Sequence, residues 1–221
     1  MRWTGIAVLA LACGWSGSAA AQGTVEFKVG DTVIVATPPK GYCPPAGDAI
    51  ATARMTAAAD SANVTLATFY PCGKTQATQE DYFLVKAPVQ ALALEIDRDT
   101  ALDQLSAALN KPEVVDDAAE ATSKQLSDRT SAMAGKPVSV KSSIRFTGRD
   151  DVCAYLGGTV GFASPDPKLS VTTEVGVCMT VVAKKLVAVY RYRKAGPDPQ
   201  VETLQRSARN FAEGLEGKAA Q

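Results

Sequence analysis

Cys43, Cys72, Cys153 and Cys178 lie in the body of a 221-residue chain that contains no histidine. The missing imidazole closes the Ser-His-Asp and Cys-His routes to an activated nucleophile, and with them His-containing zinc sites and H-E-x-x-H. No S-x-x-K, G-x-S-x-G or G-x-x-x-x-G-K occurs. The cysteines are widely spaced and none forms C-x-x-C, so in an oxidising compartment they read as structural disulfides rather than a redox centre.

Carboxylates are the remaining acid–base groups. Glu80-Asp81, Asp116-Asp117 and Asp150-Asp151 are neighbours in sequence. Glycoside hydrolysis needs two carboxylates across one cleft; adjacent strand residues point to opposite faces, and Asp116-Asp117 falls on a wet helix face, so all three pairs read as solvated charges. Asp150, Asp151 and Asp166 could gather around calcium, but EF-hand spacing is absent. No metal or cofactor is expected. Gly157-Gly158-Thr159-Val160-Gly161 resembles a phosphate loop, yet it falls inside a strand pattern and opens no helix; it reads as a close-packed or bulged strand.

Tyr190-Arg191-Tyr192-Arg193-Lys194 concentrates aromatics and cations. Arg191, Arg193 and Lys194 could form an anion or partner surface. The alternative, preferred here, is an amphipathic last strand with its tyrosines under the C-terminal helix and its arginines in water.

The elements that position these groups follow from periodicity. Thr24 to Thr37 reads as a hairpin turning at Gly30-Asp31. Asp48 is placed to cap an Ala-rich helix ending near Ala59, and Val64–Tyr70 and Tyr82–Lys86 read as strands. Val89 to Ile96 fits either an extension of that sheet or the start of a helix. Asp99 is placed to cap a helix bearing Leu102, Leu105 and Leu109, and Pro112 opens the next helix, which Gly135 closes.

Val138, Val140, Ile144 and Phe146 alternate with polar residues, and three further strands complete a meander through Arg193. Asp198-Pro199 should cap and start a final helix, whose stripe Val201, Leu204, Ala208, Phe211 and Leu215 would pack on that meander.

Four cysteines allow three connectivities. Cys43 and Cys72 bracket the first helix and could staple its start to the end of the next strand. A hairpin turn centred between Pro165 and Asp166 would set Cys153 directly opposite Cys178. Cys43–Cys72 and Cys153–Cys178 are therefore the preferred pairs, each contributing about 3–4 kcal/mol in the loop-entropy account.

The start of the chain reads as an export signal: Arg2, an apolar run from Trp3 to Cys13, and an A-x-A site at Ala19–Ala21. A lipobox ending at Cys13 is the alternative, with Ala10-Leu11 in an unfavourable order. The expected organisation is a cleaved signal over 1–21, one disulfide-bonded α+β domain over 22–217, and a frayed tail over 218–221. The protein would be periplasmic or secreted, with no transmembrane segment after processing. Twenty-three basic residues balance 23 acidic ones, which argues against a nucleic-acid partner.

The fold expected is an antiparallel sheet of about six to eight strands, with a C-terminal four-strand meander, covered by helices that include an amphipathic C-terminal one. Over most of residues 24–216 this element order resembles the PsbP-like family of α/β/α sandwiches. The resemblance is of layout and transfers no functional residue; it implies a noncatalytic accessory or assembly role. The leading functional expectation is thus an exported binding protein acting through an envelope partner. The alternatives are a histidine-free carboxylate enzyme, such as a cell-wall glycan hydrolase, and a carrier of a small apolar ligand between sheet and helices.

Overall fold

Period-two alternation builds most of this molecule. The computed structural model describes residues 23–73, 80–165 and 170–218. Residues 1–21, read above as an export signal, with Cys13, and also Asp166 and residues 219–221, lie outside them.

The strands are β1 (Val25–Val29), β2 (Thr32–Ala36), β3 (Tyr42–Cys43), β4 (Asn63–Pro71), β5 (Asp81–Pro88), β6 (Ser139–Ser142), β7 (Arg145–Arg149), β8 (Ala154–Ala163), β9 (Val171–Val182), β10 (Lys185–Lys194) and β11 (Leu215–Gly217). The helices are α1 (Ala49–Ala59), α2 (Arg98–Leu109), α3 (Pro112–Ala134) and α4 (Val201–Glu213). Eight strands form an antiparallel sheet in the order β3-β4-β5-β10-β9-β8-β6, with β7 also paired to β8. The expected fold class and C-terminal meander are present.

One sheet face carries Phe69, Phe83, Val85, Val187, Val189 and Cys178, packed against Phe211 and Ala208 of α4. The same core takes in Phe27, Val29 and Ile34 of the N-terminal hairpin. That hairpin does not stand alone. β11, which the sequence reading counts as the end of the last helix, leaves α4 at Gly214 and pairs with β2 to make a three-stranded sheet. Lys218 continues this pairing by donating its backbone N–H to Val33 O and its Nζ to Glu26 (3.0 Å).

Several helix boundaries differ from expectation. Asp48 is itself helical and makes no capping side-chain bond. The residue preceding α2 is Asp97, which leaves Asp99 in the first turn. Asp198-Pro199 precedes α4 without capping it. The helix begins after Gln200, whose N–H is taken by the buried carboxylate of Glu174 from β9 (3.1 Å), so a strand residue caps the helix. Val89–Ala91 forms a short 3₁₀ turn, and Ile96 donates its N–H to Lys184 O.

The strand expected over Val138–Phe146 is divided into β6 and β7. Ser142 opposes Val160 and Arg145 opposes Gly157, so the register passes unchanged across the break. There Ser143 O comes so near Gly158 that a β-carbon at Gly158 would lie 2.2 Å from it.

The β8–β9 hairpin is offset by two residues from the register anticipated. Tyr155, not Cys153, faces Cys178. Cys153 precedes β8, in a turn where Asp150 Oδ1 accepts the N–H groups of Val152 and Cys153, both at 2.8 Å. That turn takes Cys153 out of the strand path, and the bond to Cys178 forms with the Cα atoms 5.1 Å apart. Both preferred disulfides are present, Cys43–Cys72 with Cα atoms 5.0 Å apart.

Candidate functional site

The second face of the sheet is aromatic and polar. Along β5, Tyr82, Leu84 and Lys86 alternate with Phe83 and Val85; along β10, Tyr190 and Tyr192 alternate with Val189 and Arg191. Antiparallel register sets Tyr192 opposite Tyr82 and Tyr190 opposite Leu84. The rings of Tyr82 and Tyr192 stack at 4.6 Å and those of Tyr190 and Tyr192 lie 6.1 Å apart, nearly parallel. Tyr70 adjoins Tyr82 at 5.9 Å. Four of the six tyrosines thus share one patch.

Helices α1 and α3 roof this patch without filling it. α3 is tied to the edge of the sheet by a serine ladder. Ser131 Oγ accepts the N–H of Val138 (2.8 Å), Ser127 Oγ that of Val140 (2.8 Å) and Ser123 Oγ that of Ser142 (3.2 Å). Residues four apart on a helix advance about 6 Å and residues two apart on a strand about 6.6 Å, so the two rows match. The ladder also occupies the free backbone edge of β6. Over the sheet, α1 and α3 present chiefly small or short side chains: Thr52, Thr56 and Ala59 from one, Ala118, Ala119 and Thr122 from the other. The result is a cavity of about 360 Å³ between sheet and helices. Tyr82, Tyr190, Tyr192, Leu84, Leu156 and Val177 are among its sheet-side lining, with Leu126 and Val115 from α3.

One side of the lining is charged. Lys86 Nζ donates to Asp60 Oδ2 at 2.7 Å and lies 5.2 Å from the centroid of the Tyr190 ring. Asp60 also accepts from the backbone and side chain of Asn63. Burial raises the carboxyl's pKa, but the Lys86 ammonium and the Asn63 donors outweigh it and hold Asp60 below its ordinary value. Burial pushes the phenols of Tyr82, Tyr190 and Tyr192 above theirs.

The cation-rich segment is divided between the two faces. Arg191 is buried on the α4 side, between the rings of Tyr42 (5.0 Å) and Phe83 (4.7 Å). Its guanidinium pairs with Asp81 (2.5 Å) and donates to Tyr42 Oη (2.6 Å). Burial and the bond to Asp81 push the Tyr42 phenol up to about 12. The tyrosines therefore lie under α1 and α3 rather than under the C-terminal helix, and Arg191 is not in water, because β10 is covered on both faces. Arg193 is exposed, and Lys194 is exposed and pairs with Glu80 (2.8 Å). The three cations do not make one surface.

The acidic pairs are engaged elsewhere. Asp150 Oδ2 accepts from Tyr155 Oη (2.6 Å) and Arg209 Nε (2.9 Å), so both its oxygens bind protein donors. These hydrogen bonds outweigh desolvation and hold Asp150 below its usual value. Asp116 pairs with Arg145 at 2.9 Å. Among the described residues, no cluster of three or more acidic or sulfur ligands forms a metal site, and the cavity lining holds one carboxylate, Asp60. Gly157 lies in β8 under α4, where an added β-carbon would be 2.3 Å from Val201 Cγ1; it is a packing glycine, not part of a phosphate loop.

Sequence reasoning offered a pocket between sheet and helices only as an alternative and named no residue as lining it. Its floor was legible in the alternation of Tyr82, Leu84 and Lys86 with Tyr190 and Tyr192. The stand-off of α3 was foreshadowed only by the Ser123, Ser127, Ser131 spacing.

No protein-family model matches this chain, and no curated protein matches it. Among solved structures it is similar to the solution structure of cyanobacterial PsbP (CyanoP) from Synechocystis sp. PCC 6803. The two share 14% identity over 93% of this chain and 99% of that one, with a TM-score of 0.43.

Proposed function

We propose that this is an exported binding protein that holds one small, mainly apolar ligand between its sheet and helices α1 and α3. The observation that carries this reading is the cavity: about 360 Å³, walled mostly by aliphatic and aromatic side chains, with threonine and serine hydroxyls and the Lys86–Asp60 pair between them. Sites for small ligands occupy about 300–1,000 Å³ and have this composition. Two disulfides fit an oxidising compartment. No described helix is long and apolar enough to cross a membrane. Periplasmic delivery by residues 1–21 is part of the proposal.

The test uses the neutral dye Nile red with wild type and Ala119→Trp, whose indole would occupy the cavity from the α3 side. Saturable binding of one dye per chain is expected, and its loss in Ala119→Trp with an unchanged melting profile. Equal binding by both proteins would locate the dye elsewhere and end this reading.

A protein partner is the second reading. It is favoured by Ile50, Met55 and Val114, which are 41–49% exposed on α1 and α3. A photo-crosslinker at Ile50 that captures one specific envelope protein would support it; repeated recovery of none would count against it.

A further inference from the structure

The chemistry of the lining narrows the ligand class, on the premise that the cavity is a ligand site. We propose that it selects neutral amphiphiles, with an oxygen-bearing head taking hydrogen bonds from Tyr82, Tyr190 and Tyr192 and an apolar body lying along Leu84, Val177 and Leu126. Ester, ketone, ether or hydroxyl heads all fit this description.

Three observations converge on that class. The hydroxyls of these tyrosines have no hydrogen-bond partner among the described residues, nor are they sealed from solvent. Tyr82 is more than nine-tenths buried. Hydroxyls at a cavity wall that lack a protein partner are satisfied by whatever occupies the cavity, water or ligand. Their register on adjacent strands sets the three hydroxyl-bearing rings side by side, so one head group with several oxygens can meet more than one of them.

The second observation is the protonation state. A phenol is protonated at neutral pH, and burial raises these three further, so each has a proton to donate to an acceptor.

The third is the charge balance. The charged groups in the lining, Lys86 and Asp60, are paired with each other, their side chains only 9% and 15% exposed. The walls hold no surplus charge to compensate an ionic head. A carboxylate would have to displace Asp60 from Lys86, and an ammonium would have to displace Lys86 from Asp60. Either exchange leaves a desolvated charge behind.

Three probes sharing one tail separate the possibilities: 1-decanol, decanoate and decylammonium, each titrated against bound Nile red. Decanol should compete at least about tenfold better than either ion, the expected consequence of stranding a buried charge. Tyr82→Phe, Tyr190→Phe and Tyr192→Phe keep the rings, and the hydroxyls they delete should each weaken decanol by about three- to tenfold if they contact the head. Asp60→Asn leaves Lys86 unpaired and should invert the order, with decanoate now the best competitor. Indifference of all probes to the Tyr→Phe changes, with displacement still abolished by Ala119→Trp, would overturn the assignment of the head group while leaving the cavity as a ligand site. Failure of Nile red to bind in the cavity at all would overturn the premise as well.

Discussion

The two faces of the large sheet are covered in different ways. On one, α4 docks so closely that Gly176 has no room for a side chain: an added β-carbon would lie 2.3 Å from Gln205 N and 2.5 Å from Leu204 C. Phe211 of that helix meets Phe69 and Phe83 edge to face at 5.4 and 5.6 Å. Gln205 reaches down to bond Leu156 O (3.0 Å) and Thr147 Oγ1 (2.6 Å). On the other face α3 is hung from the sheet edge by serine hydroxyls, and short side chains look across a gap at tyrosines. The first arrangement maximises contact. The second leaves part of the interior open, which a purely structural layer has no reason to do, since unfilled volume forfeits dispersion and burial.

The largest expected difference between the faces is in tolerance to volume change. Phe211→Ala should destabilise by about 4 kcal/mol, because a ring packed between two others leaves a cavity. Gly176→Ala should cost about 3 kcal/mol, since helix backbone must retreat from a single methyl. Ala119→Trp, which adds far more volume on the opposite face, should shift stability by less than about 1.5 kcal/mol. Urea unfolding of the three variants tests this, and a destabilisation by Ala119→Trp as large as that of Gly176→Ala would erase the contrast.

The disulfides sharpen it next. Cys153 and Cys178 are fully buried in the α4-side core, whereas Cys72 is exposed and Cys43 partly so. Each closes a loop for which chain entropy gives about 3.5 kcal/mol, so the energies are similar but the access is not. Under native conditions dithiothreitol followed by alkylation should label Cys43 and Cys72 well before Cys153 and Cys178. Simultaneous labelling would mean that the α4 face opens as readily as the edge bearing β3.

The smallest expected effect is in pH dependence. Asp60 has a depressed pKa in the folded state, so its contribution is complete above the unfolded carboxyl range (about 4) and fades as pH falls through the lower folded value. Tyr82, Tyr190 and Tyr192 have raised values, so their contribution is complete below about pH 10 and is lost as pH rises towards the folded values. Removing one of these phenols by Phe substitution should reduce the alkaline slope by up to about 1.4 kcal/mol per pH unit. Stability measured against pH reads both limbs, and an unchanged alkaline slope in Tyr192→Phe would show that the cavity face is already open to hydroxide.

Much of the scaffold was legible because it obeys local rules. Alternation marked the strands of the meander, Pro112 and Gly135 bounded α3, and the i, i+4, i+7 stripe Leu204, Ala208, Phe211 identified the buried side of α4. Where expectation failed, a group outside the element's own periodic pattern had intervened. Glu174 caps α4 in place of Asp198, β2 recruits Leu215 out of the helix, and the Asp150 turn displaces Cys153 from the strand register. The candidate site was half visible. The residues of its floor could be placed on one strand face, but neither which helices cover them nor how far off they stand is encoded within any window of the chain.

By itself, then, the sequence determined a histidine-free chemistry, a preference among the possible disulfide pairs, and an antiparallel sheet with an amphipathic last helix, because residue type, spacing and period act through neighbours along the chain. Tertiary structure alone decided that Arg191 is buried against Asp81 while Tyr190 and Tyr192 line a cavity, because both faces of β10 are covered, and that cover includes β5, α1 and α3 from far earlier in the chain.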